Sequence, residues 1–302
     1  MRVIFMGTPD YASVILETLI ASKDIEVVAC YTQPDKPVGR KKILTAPPVK
    51  TVALENAIEV IQPSRLRDEE VVSHLQTIAC DYIVVAAYGQ LLPKAILDHA
   101  PCINLHASIL PQYRGASPIQ QTLLNGDEET GVTAMLMDVG MDTGDILKIE
   151  RIRVNDDEMV ASLFDRLTAV AAELTLDILE NFNNLTPQVQ DVEAATHCKK
   201  ITKQEGELTL CCAGEDYNKY RAYTPWPGVF LSSGLKLKKI SMEKYCKEGT
   251  AGKIVEIADD SIVIECDMGR LRIFTLQPPS KKEMSAVAYL NGKRLRIDDI
   301  LA

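Results

Sequence analysis

Three short stretches of the sequence carry side chains able to do chemistry. The first is Cys102-Ile103-Asn104-Leu105-His106. It reads as a buried strand, and side chains alternate faces along a strand, so Asn104 and His106 share the face opposite Ile103 and Leu105. Two polar groups together at the end of a buried strand are costly unless each finds a partner or a ligand. An amide and an imidazole can both donate hydrogen bonds, and the imidazole can also handle a proton. The second stretch runs from Ser108 to Ile119, with Pro111, Gly115 and Pro118 around Arg114. It predicts a rigid, irregular loop ending where Ser117-Pro118 starts a helix. An irregular stretch of that length inside a compact domain usually serves a function. The third is Asp138-Val139-Gly140-Met141-Asp142-Thr143-Gly144-Asp145. Its glycines permit tight turns beside a ligand, and Asp142 lies between them, placed to point back at His106. Asp138 and Asp145 fit a solvated turn equally well. No Ser or Cys nucleophile is evident.

These residues need a frame. Strand-like and helix-like runs alternate through the first half: MRVIFM, YASVILETLIAS, IEVVACYT, VKTVALENA, IEVIQ, DEEVVSHLQTI, DYIVVAAYG and CINLHA. Such alternation predicts a parallel sheet with helices on both faces. Ligands then bind beyond the carboxyl ends of the strands, where Asn104 and His106 fall. The end of the first strand, Gly7-Thr8-Pro9-Asp10, is not a G-x-G-x-x-G loop, and Pro9 lacks the N–H a pyrophosphate would want. It reads as a tight strand-to-helix turn. Two further strands, GVTAMLMD and DILKIERIRV, precede a long amphipathic helix, MVASLFDRLTAVAAELTLDILENF. The boundaries expected are a first domain over 1–183, a polar linker over 184–206 and a second domain over 207–302. The last holds short β-rich runs, ELTLCC, GVFLSS, LKLKKISM, AGKIVEIA, SIVIEC and LRIFTLQ, with one helix near YNKYRAY, a pattern of small barrels or sandwiches.

A net charge of −9 excludes a non-specific nucleic-acid binder. The charge is uneven, however. Residues 204–302 hold 15 Lys/Arg against 14 Asp/Glu, which makes the C-terminal third the better docking place for a polyanion. Within the acidic first domain, Lys36, Arg40, Lys41, Lys42 and Lys50 cluster in one Pro- and Gly-containing loop. Lys/Arg clusters of this kind neutralise phosphates. The eight cysteines form no C-x-x-C pair and read as buried thiols of a reducing compartment, so no metal is expected. No apolar run suits a membrane span or an export signal, which places the protein in the cytoplasm, away from membranes.

The run Asn104-Leu105-His106-Ala107-Ser108, then Leu110-Pro111, Tyr113-Arg114-Gly115, Pro118-Ile119 and Asp142-Thr143-Gly144, resembles the signature of the folate-dependent formyltransferases. Gly7-Thr8-Pro9-Asp10, the loop from Gln33 to Lys42, Lys200-Ile201-Thr202-Lys203, Pro225-Trp226-Pro227-Gly228 and Lys281-Lys282-Glu283-Met284 resemble the members of that family that act on initiator methionyl-tRNA. Two positions depart from the pattern: Tyr11 stands where Phe is usual, and Ser280 where Gly is expected. The resemblance implies an α/β chain, with a Rossmann-like formyltransferase domain followed by an OB-like β-barrel that binds tRNA. It implies Asn104, His106 and Asp142 as the catalytic set. For the co-substrate 10-formyltetrahydrofolate it implies a pocket from Val85, Ala86, Ala87, Tyr88, Gly89, Gln90, Leu91, Leu92, Ser108, Leu110, Pro111 and Asp138. Lys36, Arg40, Lys41, Lys42, Arg114, Lys203, Lys281 and Lys282 would meet the tRNA, and the enzyme is expected to act as a monomer. Two competing readings keep the folate site. One is a formyltransferase for a small amine such as an amino sugar or glycinamide ribonucleotide; the other is a folate-binding module without catalysis.

Overall fold

The computed structural model describes residues 1–39, 41–245 and 247–301. The chain builds two compact units. The first comprises Met1–Pro118, Glu129–Arg153 and Leu163–Cys198; the second comprises Ile119–Glu128, Val154–Ser162 and Lys199–Ala302.

The elements from the N-terminus are β1 (Arg2–Gly7), α1 (Asp10–Ala21), β2 (Glu26–Tyr31), β3 (Lys36–Val38), β4 (Ile43–Thr45), α2 (Pro48–Glu55) and β5 (Val60–Ile61). There follow α3 (Glu69–Thr77), β6 (Tyr82–Ala86), α4 (Lys94–Leu97), β7 (Cys102–His106), β8 (Arg114–Gly115), α5 (Pro118–Asn125), β9 (Glu129–Leu136), β10 (Ile146–Arg153), α6 (Val160–Asn181) and β11 (His197–Cys198). The main sheet has seven strands in the order β10-β9-β7-β6-β1-β2-β5. From β5 to β7 neighbouring strands are parallel. The chain runs outward from β1 through β2 to β5, then returns to β6 on the other side. The switch point of this Rossmann-like sheet therefore lies between β1 and β6.

Alternation along β1 sends Ile4 and Met6 into one core layer with Tyr31, Ile83, Val85 and Leu75. On α6 the buried residues Leu163, Leu167, Ala171, Leu174 and Ile178 recur at three- and four-residue spacing, which makes one apolar stripe. Full burial of each large aliphatic side chain there contributes about 1.5–3 kcal/mol. β9 lies outside the parallel set: it pairs antiparallel with both β7 and β10. A buried apolar run looks the same in either direction, so its sequence carries no mark of polarity.

The second unit adds α7 (Ala213–Tyr223), β12 (Val229–Phe230), β13 (Lys236–Met242), β14 (Ile254–Ile257), β15 (Ile262–Glu265), β16 (Arg270–Gln277), β17 (Met284–Ser285) and α8 (Ala286–Lys293). Its strands are all antiparallel in the order β12-β13-β16-β15-β14, with β17 on β16. The run ELTLCC, expected as a strand, makes only isolated bridges from Glu207 and Cys212. The reason is local. The buried Asp216 carboxylate takes the Thr209 and Leu210 N–H groups at 3.3 and 2.9 Å, so they are lost to a ladder. Helix α8 is capped by the Ser285 hydroxyl, which accepts from Ala288 N at 3.1 Å. Among the described residues no helix is long and apolar enough to cross a membrane.

Candidate active site

Strand β7 lies between β6 and β9, and every one of its residues is buried. Asn104 and His106 keep 8% and 7% of their surface, just enough to be reached from the strand end. The His106 Nε2 lies 3.0 Å from the Tyr113 carbonyl oxygen. A carbonyl only accepts, so Nε2 carries a hydrogen and donates it. Proton exchange on this ring is thereby left to Nδ1. That nitrogen faces Asp142 Oδ1 at 3.8 Å. The other carboxylate oxygen, Oδ2, accepts from Gly115 N at 2.8 Å. Asp142 thus divides its oxygens between the loop and the imidazole. It does so from a left-handed backbone, φ 56°. The Asn104 side chain has no hydrogen-bond partner among the described residues. The structure brings His106 and Asp142 together, and Asn104 lies two residues before His106 on the same strand.

The loop between β7 and α5 is fastened at each end. Thr133 on β9 pairs in register with His106; its hydroxyl accepts from Leu110 N at 3.0 Å and donates to Ser108 O at 2.6 Å. The Ser108 hydroxyl donates to Gln112 O at 2.6 Å. Farther on, β8 pairs in parallel with β11. The approach is so close that a Cβ on Gly115, at φ 120°, would stand 2.2 Å from the Cys198 carbonyl oxygen. The Cys198 sulfur accepts from Ser117 N at 3.3 Å, and burial pushes its thiol up from the ordinary range. Within 184–206, the stretch expected as linker, Gln188 bridges Ile146 and residues 197–198 form β11.

Arg114 corrects an expectation. It keeps only 4% of its surface, and its Nε and Nη2 donate to Gln190 Oε1 at 3.0 and 2.7 Å. A guanidinium so enclosed braces the loop; it is not displayed for RNA. The role assigned to Gln190 left no sign in the sequence, because it depends on a return of the chain 76 residues later.

The stretch expected to hold folate follows β6, beside the sheet's switch point. Val85 and Ala86 are buried at the strand end, and Ala87 and Gly89 take positive φ of 45° and 83°. Tyr88 O accepts from Thr8 Oγ1 at 3.2 Å and Gln33 Nε2 at 3.1 Å, while Gln90 takes Leu66 N at 2.8 Å. The Tyr88 ring is in the core, its hydroxyl is buried without a partner among the described residues, and burial drives the phenol well above its usual range. Leu91 is exposed and Leu92 buried. Leu110 is buried and Pro111 half-buried. Asp138 is exposed and closes its own turn, accepting from Gly140 N at 2.9 Å and Thr143 Oγ1 at 2.6 Å. The second glycine of that turn is obligatory: a Cβ on Gly144 would lie 1.7 Å from Leu136 O.

The basic loop is a small hairpin, β3 against β4, with Lys36, Lys41 and Lys42 exposed; Arg40 lies outside the described residues. Lys50 is not part of the free charge. Its ammonium sits 2.9 Å from both Asp35 carboxylate oxygens, and Gln62 Nε2 adds a bond to Oδ1 at 2.8 Å. Lys50 and Gln62 hold the Asp35 carboxyl below its ordinary range. Lys203, Lys281 and Lys282 are exposed on the second unit. Among the described residues no cluster of His, Cys, Asp and Glu is arranged to hold a metal ion.

A Rossmann-like unit carries an amide and an imidazole at one strand end with a carboxylate facing the imidazole, and the chain belongs to the formyl transferase family. That family matches residues 1–179, and its C-terminal domain family matches residues 200–294. The chain is 63% identical over 302 residues to the methionyl-tRNA formyltransferase of Sulfurimonas denitrificans, covering 100% of both chains. It is 54% identical to that of a Nitratiruptor species, over 99% of each. Among solved structures, the N-formyltransferase of Helicobacter canadensis in complex with folinic acid and dTDP-3-aminofucose shares the fold at 17% identity. Its TM-score is 0.65, covering 91% of this chain and 99% of that one.

Proposed function

We propose that this enzyme transfers the formyl group of 10-formyltetrahydrofolate to the α-amine of methionyl-initiator tRNA. The observation that carries the reading is the His106–Asp142 pair beside a hydrogen-bonding amide with no partner of its own, in a chain alike over its whole length to methionyl-tRNA formyltransferases. The neutral amine attacks the formyl carbon. A nitrogen–carbon bond forms, and negative charge gathers on the formyl oxygen. The Asn104 amide is the donor available to that charge. The proton shed by the amine goes to the His106 Nδ1–Asp142 pair and returns to the folate nitrogen as its bond to the formyl carbon breaks. No covalent enzyme intermediate is needed.

The residues proposed for folate are the turn from Val85 to Leu92, with Ser108, Leu110, Pro111 and Asp138. Its support is position, since ligands of open α/β sheets bind at the switch point. Lys36, Lys41 and Lys42 are proposed to meet the acceptor end of the tRNA, and Lys203, Lys281 and Lys282 its backbone. An OB-like module suits that task. The test is formyl transfer to charged initiator tRNA, with free methionine and an amino sugar run in parallel. Rapid transfer to the tRNA alone is expected, and about a 10²–10⁴ loss of kcat in each of Asn104→Ala, His106→Ala and Asp142→Ala. Transfer only to a small amine would overturn the assignment of the tRNA.

A further inference from the structure

Gln190 belongs to no strand or helix, yet it keeps only 4% of its surface. Every polar atom of its side chain is engaged. Nε2 donates to the carbonyl oxygens of Asp142 at 2.9 Å and Gly144 at 2.7 Å. Oε1 accepts the forked pair from Arg114 at 3.0 and 2.7 Å. Arg114 is the neighbour in sequence of Gly115, whose N–H holds Asp142 Oδ2 at 2.8 Å. The contacts close into a ring. It runs from the Asp142 carboxylate through Gly115 and Arg114 to Gln190, and back to the Asp142 backbone. The ring spans a residue in the left-handed region, φ 56°, a conformation that costs a non-glycine residue roughly 1–3 kcal/mol and needs outside support. The segment bearing Gln190 is itself held on either side, by Gln188 against Ile146 and by Thr196 O, which accepts from Arg114 N at 2.9 Å.

We infer that Gln190, with Arg114, is a positioning residue of the formyl-transfer site: it fixes the carboxylate of Asp142 opposite His106. The inference rests on the reading of Asp142 as a catalytic residue. An amide is suited to the task because the task has two halves. One end must accept from a guanidinium, and the other must donate to two carbonyls. A glutamate of the same length keeps the first half and reverses the second, setting an oxygen against two carbonyl oxygens.

Gln190→Glu is therefore the informative substitution, measured in the full chain alone and combined with Asp142→Asn, with Gln190→Met as the second variant should the glutamate not fold. Gln190→Glu is expected to lower kcat by about 10–100-fold, the scale of an ångström of misplacement, with both KM values within about twofold of the parent. In the Asp142→Asn background the same change is expected to cost less than about twofold, since residues acting as a unit are not additive. Amide exchange at Gly115 should quicken while β7 stays protected. A parent-like kcat in folded Gln190→Glu overturns the inference, as does an equal loss in both backgrounds. A parent-like kcat in Asp142→Asn alone would instead remove Asp142 from the catalytic set, and the inference with it.

Discussion

Replacing Thr133 by valine tests whether the site loop is held by a hydroxyl or by packing. Thr133 is fully buried on β9, in register with His106. Its hydroxyl joins Leu110 N and Ser108 O, at 3.0 and 2.6 Å, and both residues are buried. Valine has the same shape. It leaves one amide and one carbonyl without a partner, at about 1–3 kcal/mol each, or roughly 2–6 kcal/mol together. The methyl that replaces the hydroxyl returns about 0.8 kcal/mol. The net loss expected is about 1–5 kcal/mol. In a unit of this size that lowers Tm by roughly 2–20 °C. Thr133→Ser keeps the hydroxyl and deletes a buried methyl, which costs about 1 kcal/mol. Calorimetry on the full chain compares the two, with kcat measured below both transitions. Valine should be the worse substitution, although it is the more apolar. If valine is tolerated and serine is not, packing holds the loop and the hydrogen-bond reasoning fails.

Three further outcomes are expected. Replacing Lys36, Lys41 and Lys42 together by Gln should reduce the slope of log affinity for tRNA against log salt by about two to three, at ~0.7–0.9 per phosphate contact; an unchanged slope would mean the hairpin does not touch phosphate. Ser280, where glycine was expected, has φ 59°, a strain of about 1–2 kcal/mol offset by roughly 0.5–1 kcal/mol of glycine chain entropy. Ser280→Gly should therefore raise stability by about 0.5–1 kcal/mol in urea titration, and a loss would contradict the backbone geometry. Asp35 has a lowered folded-state pKa, so the stability it lends is present above about pH 4 and is lost as pH falls through the folded value. The Tm gap between the parent and Asp35→Asn should close on acidification below that point; a gap that widens there would refute the pairing with Lys50.

Most of the first unit could be read from its sequence because local pattern and burial agree there. Alternation alone put Asn104 and His106 on one face of β7, and the glycines of the 138–145 turn put Asp142 opposite. What stayed hidden depends on contacts distant in sequence. A positive charge in a Pro-Gly loop looks the same whether it faces solvent or a partner, so the burial of Arg114 and the pairing of Lys50 with Asp35 left no trace. Gln190 stands in a polar stretch that reads as connection, since one buried amide makes no periodicity. The segment 207–212 misled for a related reason: it alternates like a strand, but its amides belong to Asp216. Tyr11 departs from the family pattern by one hydroxyl, and the structure gives that hydroxyl a place, 3.2 Å from Leu105 O.

The division of the chain into units also bears on how such enzymes could exchange parts. The first unit is three pieces of sequence and so is the second, so the backbone passes between them five times. Tyr217, Asn218 and Arg221 of α7 bond to Asp157, to Leu124 O and to Glu158 O, residues that precede α7 by dozens of positions yet belong to the same unit. No single recombination junction yields two whole modules. A crossover at the end of α6 would strip the catalytic unit of Gln190 and β11. One placed after Cys198 would still leave the second unit short of residues 119–128 and 154–162. A lineage of such chains is therefore expected to inherit both units together, with substrate preference drifting by point substitution more readily than by shuffling.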